Sequence, residues 1–314
     1  MIIKKLISMR IKSIIIVLFC AGCFYQAGAQ QIFAISQYMQ HNFIYNPAAS
    51  GAADDPSIGA IYRKMWSGID GGPQTTILYG DTHFDKKKVG LSAFVYDDKT
   101  GPTERIGGQF GLSYGVQLDK TNTRKLMFGI GGSFLQYKID KTDIIDNPAD
   151  YAGDNALISA PNSKFTGDAA AGVYYKSPTL NVGVSVQQII QTQLGFINES
   201  NTTTVGKLYR HYYVQADYKL KVDEDDDLIP NALLMYQPNS PIDLQAGARL
   251  MHADFIWIGF GYHYQQSFSA YAGVKIDHRF EIGYAYDQYQ TPLSFVSTSG
   301  SAANELSLRY YFIK

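Results

Sequence analysis

The chain has 314 residues and a formal net charge of −1, and only 18% of its residues are charged. Soluble domains carry about 25% charged residues, whereas this sequence is rich in tyrosine, with 24, and glycine, with 29. The balanced charge and the lack of a basic stripe argue against nucleic acid as a partner.

The first thirty residues have the three-part design of a secretory signal peptide. A basic start leads into an apolar run, and the small-residue site Ala27-Gly28-Ala29 follows. An apolar run of roughly ten residues is too short to cross about 30 Å of hydrocarbon as a helix. Residues 1–29 are therefore predicted to be removed, with cleavage between Ala29 and Gln30.

Both cysteines of the chain, Cys20 and Cys23, lie inside this predicted signal peptide. A mature chain that starts at Gln30 would contain no cysteine and could form no disulfide. The alternative is a lipoprotein, because Ala21-Gly22 before Cys23 resembles a lipoprotein processing box. Cys20 occupies the place where that box usually has Leu, which favours a signal peptide without lipid attachment.

From residue 57 onward, apolar residues alternate with small or polar ones, which is the period of β-strands. In one such stretch, Phe280 and Ile282 alternate with Arg279 and Glu281. The number of predicted strands, about fourteen, is even, as bacterial outer-membrane barrels of a single chain require. The predicted strands span residues 57–66, 74–84, 88–97, 104–118, 124–139, 166–176, 179–190, 205–221, 227–237, 241–251, 254–264, 267–276, 278–287 and 303–313.

The lengths of the predicted connections also favour an outer-membrane barrel, which has short periplasmic turns and longer outer loops. The three long connections, near 140–165, 191–204 and 288–302, are the fifth, seventh and thirteenth, so they share one side. Residues 57–314 are therefore predicted to form an all-β fold, a transmembrane antiparallel β-barrel of about 14 strands in the bacterial outer membrane. Residues 30–56 are predicted to be an N-terminal periplasmic segment that leads into the first strand.

A soluble β-sandwich is the alternative architecture, in which the apolar face would point into a shared core. The opposite face argues against it, because charges such as Arg249, Glu305 and Arg309 would not be buried readily in a sandwich. Inside a barrel, Glu305 and Arg309 are expected to pair with each other. The last strand must also pair with the first, because an open edge is not tolerated in lipid.

Residue types that serve catalysis or metal binding are present, but not in the required arrangements. The six histidines show no metal-binding spacing, and no G-x-S-x-G motif occurs. Ser267 and His263 are close in sequence, as an outer-membrane phospholipase would need, but a predicted loop separates them and no orienting third group is apparent. The acidic stretch 222–228 lacks the glycine and distal glutamate of a calcium loop, so it is predicted to be a periplasmic turn. The sequence predicts no enzyme, no cofactor and no metal.

Three stretches resemble the opening part of the PorP/SprF family of type IX secretion system membrane proteins. They read QYMQHNFIYNPAASG, YRKMWSGIDGGPQTTILYGDTHF and VGLSAFVYDDKTGP, and together they cover residues 37–102. Glycine and proline at these positions favour hairpin bends, and Trp66 is suited to an aromatic belt at the membrane surface. The matching residues are Asn46, Pro47, Gly51, Arg63, Trp66, Gly68, Asp70, Gly71, Pro73, Gly101 and Pro102.

This resemblance implies an outer-membrane component of type IX secretion that supports the export or cell-surface attachment of cargo or gliding adhesins. It implies binding to their C-terminal sorting domain, and it implies other type IX secretion components as partners, including periplasmic lipoproteins, besides the surrounding outer-membrane lipid. The alternative function is a passive porin for small solutes, because about fourteen strands enclose a lumen wide enough for water unless it is plugged.

Four aromatic residues in or beside the long predicted loops are candidates for anchoring a protein partner. Packing within the loops, or a girdle at the membrane surface, is the alternative role for each of them. They are Tyr151, Phe165, Phe196 and Phe295.

Overall fold

The computed structural model describes residues 33–121, 123–140, 163–192, 207–290 and 302–313. These residues form one antiparallel β-sheet that closes on itself, because the first strand pairs with the last. The strands are β1 Ser57–Met65, β2 Gln74–Phe84, β3 Val89–Thr100, β4 Thr103–Gln117, β5 Lys125–Ile139, β6 Ser163–Lys176, β7 Leu180–Gln187, β8 His211–Tyr218, β9 Leu220–Lys221, β10 Asp226–Tyr236, β11 Asp243–His252, β12 Ile256–His263, β13 Ser267–Ile276, β14 Phe280–Tyr289 and β15 Ala302–Tyr311.

The segments β8 and β9 are two parts of one barrel strand, because both pair with β10 and only Lys219 separates them. The described residues thus form a closed barrel of fourteen strands, which confirms the predicted fold. The largest departure from a predicted boundary is at β8, which begins at His211 rather than near residue 205. The predicted cleavage site, Ala29 and Gln30, lies outside the described residues.

Side chains alternate between the outer wall and the lumen along each strand, as the period of two requires. In β14, Phe280, Ile282 and Tyr284 are exposed on the outer wall, whereas Glu281 and Asp287 are buried inside. The outer wall is consequently apolar and the inner wall polar. Within the described ranges, no helix is both long enough and apolar enough to cross a membrane.

The two ends of the barrel differ in the length of their connections. One end, here called the short-turn end, has the connections 85–88, 118–124, 177–179, 222–225, 253–255 and 277–279. Two of these turns contain consecutive residues with positive φ, Ala253-Asp254 at 51° and 50° and Asp277-His278 at 50° and 55°. This is the conformation of a type I′ hairpin turn. The three long connections all leave the opposite end, here called the long-connection end.

Residues 33–52, here called the plug, lie inside the barrel. The plug contains the short helical segments Tyr38–Gln40, Asn42–Tyr45 and Pro47–Ala49, and the exposed fraction of Ile35 is 1%. The prediction for residues 30–56 was a separate periplasmic segment, whereas the structure places most of that segment in the lumen. The physical reason is that the lumen of a fourteen-stranded barrel is wide, and the plug buries its apolar side chains there.

The plug runs along the barrel axis. At its beginning, the ring of Phe33 lies 4.7 Å from that of Tyr96, in the long-connection half. At its end, the carbonyl of Ala52 accepts a hydrogen bond from Lys176, the last residue of β6, at the short-turn end. The chain therefore passes through the lumen before β1 begins.

Candidate functional site: the plugged lumen

Five inward-facing glycines on the adjacent strands β3 to β7 form a smooth surface under the plug, here called the glycine floor. A Cβ atom on Gly90 would lie 1.9 Å from the carbonyl oxygen of Ser50, and one on Gly129 would lie 2.2 Å from the amide nitrogen of Ala48. Backbone atoms cannot approach this closely to any side chain, so only glycine permits the contact. The glycine floor consists of Gly90, Gly111, Gly129, Gly172 and Gly183.

Asn46 holds the centre of the plug on the glycine floor. Its side-chain oxygen accepts a hydrogen bond from the amide of Ala48 at 2.9 Å. Its side-chain nitrogen donates to the carbonyl oxygen of Val173, on β6, at 3.1 Å. The next residue, Pro47, begins a helical turn, where a proline costs no hydrogen bond. The asparagine and proline of the sequence motif therefore dock the plug onto the barrel wall.

Gly51 ends the plug with a backbone conformation that glycine favours, at φ 66°. Its amide donates to a carboxylate oxygen of Asp81, on β2, at 2.6 Å. Beside it, the hydroxyl oxygens of Ser50 and Ser92 are 2.7 Å apart, and the hydroxyl of Ser113 donates to the carbonyl oxygen of Ser50 at 2.6 Å. These bonds fix the direction in which the chain turns into β1.

A buried charge cluster holds the first part of the plug, and we call Arg63, Asp287 and Glu305 the seam clamp. The Arg63 guanidinium donates to Asp287, to Glu305 at 3.0 Å and to the hydroxyl of Tyr289 at 3.1 Å. The exposed fractions are 4%, 2% and 1% for Arg63, Asp287 and Glu305. Removing one member of such a cluster would leave an uncompensated buried charge.

The seam clamp contacts the plug and closes the barrel at the same place. Arg63 on β1 is directly opposite Glu305 on β15 in the pairing of the first and last strands. The Glu305 carboxylate also accepts hydrogen bonds from the amides of Ser36, at 2.7 Å, and Gln37, at 3.1 Å. The plug and the closing seam are therefore bonded through the same carboxylate.

Arg309 does not pair with Glu305, contrary to expectation. Residues four apart on one strand are separated by about 13 Å, which is too far for an ion pair. Arg309 instead donates to the carbonyl oxygen of Gln40 in the plug at 2.5 Å and to the hydroxyl of Tyr79 at 3.0 Å. The strand spacing thus sends the two charges to different parts of the plug.

The remaining family-signature residues connect neighbouring loops at the long-connection end. The carbonyl of Gly71 accepts a hydrogen bond from the amide of Gly101 at 2.9 Å, and their φ values are 74° and 51°. The carbonyl oxygen of Pro73 accepts from Met65 at 2.8 Å. Four further residues belong to the same connections: Trp66 and Pro102 are partly buried, and Gly68 and Asp70 are exposed.

The candidate partner-binding aromatics are only partly covered by the described residues. Tyr151, Phe196 and Phe295 lie outside them. Phe165 is the third residue of β6, where it is 66% exposed on the outer wall and stacks on Phe134 with 6.1 Å between ring centres. It therefore belongs to the wall beside the loop.

Below the plug, the lumen opens at the short-turn end into a vestibule lined by charged side chains of both signs. Asp54 and Lys176 form an ion pair there, with 2.5 Å between carboxylate oxygen and Nζ. Desolvation alone would raise the pKa of Asp54, but the Lys176 ammonium group outweighs it, so this pKa lies below its ordinary value. In the part of the chain that the structure covers, no group of three or more His, Cys, Asp or Glu side chains is arranged to hold a metal.

Sequence reasoning missed the glycine floor and the acidic half of the seam clamp. The glycines had been read as small residues of a polar inner face, and Arg63 as part of a turn signature. A usable signal was present, since residues 33–52 lack strand alternation while successive strands carry glycine on their inner face. That combination indicates a segment that needs a flat surface to lie on.

Residues 27–310 match the family model described as type IX secretion system membrane protein PorP/SprF. The chain belongs to the PorP/SprF family. The family is a membrane component of the type IX secretion system and not an enzyme family, and its barrel places this member in the outer membrane as an integral protein. The short-turn end accordingly faces the periplasm.

Solved structures of outer-membrane barrels show the same fold at low sequence identity. The CymD monoaromatic hydrocarbon channel aligns with a TM-score of 0.51 and 11% identity, over 91% of this chain and 96% of its own. Omp33 of Acinetobacter baumannii aligns with a TM-score of 0.47 and 7% identity, over 82% and 98%. The P. putida toluene transporter TodX aligns at 0.47 and 9%, over 86% and 93%. No protein of curated function matches the sequence.

Proposed function

We propose that this PorP/SprF member is a plugged scaffold in the outer membrane that supports the export or surface attachment of type IX cargo. On its outer side it binds the C-terminal sorting domain of secreted proteins or gliding adhesins. On its periplasmic side it contacts other secretion components, including lipoproteins. The observation that carries this proposal is the occupied lumen, which favours a binding role over solute passage.

The contacts of the plug are spread around the barrel, which supports this role. Tyr38 donates a hydrogen bond to Asn231 on β10 at 2.6 Å, whereas the Nε2 atom of His41 lies 3.1 Å from the hydroxyl of Tyr79 on β2. Gln187 on β7 donates to the carbonyl oxygen of Tyr45 at 2.9 Å. A solute would have to break such bonds on several sides of the lumen to pass.

The passive porin is the competing function, and the likeness to a hydrocarbon channel is its only support among the comparisons. That likeness is at 11% identity and concerns the fold. A porin would require the plug to leave the lumen and expose the apolar side chains that it now buries, which is unfavourable in water.

Copurification and conductance test the proposal together. The tagged full-length protein is isolated from native membranes, and a cargo sorting domain is expected to copurify with it. Removing residues 141–162 or 291–301 should release that domain while the barrel still folds. In planar bilayers the purified protein should show no steady conductance. Steady single-channel conductance, together with unchanged surface cargo in a deletion strain, would establish the porin instead.

A further inference from the structure

An apolar groove crosses the outer wall where the last strands meet the first. Ala60 on β1 lies between two larger neighbours, Leu78 on β2 and Leu308 on β15, which are its partners in the two strand pairings. The single methyl group of Ala60 leaves a depression between them. The outward side chains around this depression are Ile58, Leu78, Ile276, Phe280, Ile282, Leu308 and Tyr310.

We propose that this groove is a binding site for one glycerophospholipid of the periplasmic leaflet. An acyl chain lies in the groove, and the guanidinium of Arg279 binds the phosphate. Both parts of the site are formed by residues near the short-turn end.

The position of the groove selects the periplasmic leaflet. Ile58 is the second residue of β1, Phe280 is the first of β14 and Ile276 is the last of β13, so all three are at the periplasmic end. The ring of Tyr310 lies 4.9 Å from Phe280 and 5.0 Å from Phe312. Aromatic side chains concentrate at the level of lipid headgroups, so this cluster marks the boundary between acyl chain and phosphate.

The cation beside the groove is available for a phosphate. Arg279 is exposed in the turn between Ile276 and Phe280. Its side chain has no hydrogen bond or ion pair with any residue in the described ranges, and the carboxylate of Asp277 in the same turn makes no ion pair with it. Guanidinium groups bind phosphate with two parallel hydrogen bonds.

The neighbouring cation in this region is already neutralised. Lys275 pairs with Asp254 at 2.9 Å. The guanidinium of Arg279 is thus the group left for an anionic ligand. A second protein barrel would cover the groove without needing a cation at its periplasmic edge, and lipopolysaccharide would place its phosphates at the opposite end of the barrel.

Native mass spectrometry of the full-length protein in mild detergent tests the site. The unaltered protein is expected to retain one phospholipid. Arg279→Gln should reduce the retained fraction roughly tenfold, as loss of a charge-assisted bond does, and Ala60→Leu should reduce it by filling the groove. The matched controls are Arg124→Gln, at another exposed arginine of a short turn, and Val116→Leu, which adds the same bulk elsewhere on the outer wall.

All four variants should keep the gel shift on heating that marks a folded barrel, because every substituted side chain faces outward or lies in a turn. Equal lipid retention by Arg279→Gln and the unaltered protein would overturn the proposal. So would retention of lipopolysaccharide in place of phospholipid, or equal losses in the two control variants.

Discussion

Replacing Arg63 with methionine should destabilise the barrel strongly, because it removes the only positive charge of the seam clamp. The side chains of Asp287 and Glu305 are 2% and 0% exposed, so neither carboxylate can reach water. Removing one partner of a buried ion pair typically costs about 3–5 kcal/mol. Net stabilities of folded proteins are about 5–15 kcal/mol, so the loss is a large part of the total.

The assay is the urea dependence of folding in lipid vesicles, followed by the gel shift on heating. Arg63→Met should lower the unfolding midpoint, and the triple variant Arg63→Met, Asp287→Asn, Glu305→Gln should recover most of the loss. The recovery follows because replacing all the charges of a buried cluster is often close to neutral. A triple variant as unstable as the single one would refute the role of uncompensated charge, and so would a single variant as stable as the unaltered protein.

Lys138 and Glu104 provide the matched control for this measurement. They form an ion pair at 3.1 Å between strands β4 and β5, with side chains 36% and 33% exposed. An ion pair in contact with solvent contributes about 0–1 kcal/mol. Lys138→Met should therefore leave the unfolding midpoint nearly unchanged. A loss as large as that of Arg63→Met would show that burial is not what makes the seam clamp important.

Three further predictions concern the plug. Gly172→Ala should destabilise the protein by about 1–3 kcal/mol, since its Cβ would lie 2.1 Å from the side chain of Asn46, whereas Gly132→Ala, which has no atom within 4 Å, should not. Cysteines replacing Ser50 and Ser92, whose hydroxyl oxygens are 2.7 Å apart, should form a disulfide that leaves copurification with cargo unchanged; lost cargo would show that the plug must move. Asp54→Asn should lower the urea midpoint slightly near pH 7, and this difference should vanish as the pH falls through the lowered pKa of Asp54; a difference that persists at pH 2 would contradict the ion pair.

The seam clamp also relates the plug to barrel assembly. The plug cannot be threaded into a closed barrel without breaking strand pairs, and Glu305 bonds both the plug amides and Arg63. Closure of the seam around a docked plug satisfies all these groups in one step. The plug is therefore part of the hydrophobic core of the folded barrel, with Ile44 and Tyr45 packed in the same cluster as Ile61, Ile77 and Trp257.

The sequence by itself determined the barrel, its strands and their order, because these depend on local patterns. Alternation with a period of two is visible within ten residues, and the parity of long and short connections requires only counting. The motif around Asn46 and Pro47 also identified the family, because it is contiguous. Its physical role in docking the plug was not visible, since the partners of Asn46 are backbone carbonyls of β6 and β7.

Only the tertiary structure decided what fills the lumen and which charges pair. Arg63 and Glu305 are 242 residues apart in sequence, and they meet only because the first and last strands close the barrel. The glycine floor is likewise spread over five strands, and its shape matters only once these strands lie side by side. Lumen packing depends on which inner faces come together around the whole circumference, and that information exists only after the sheet has closed.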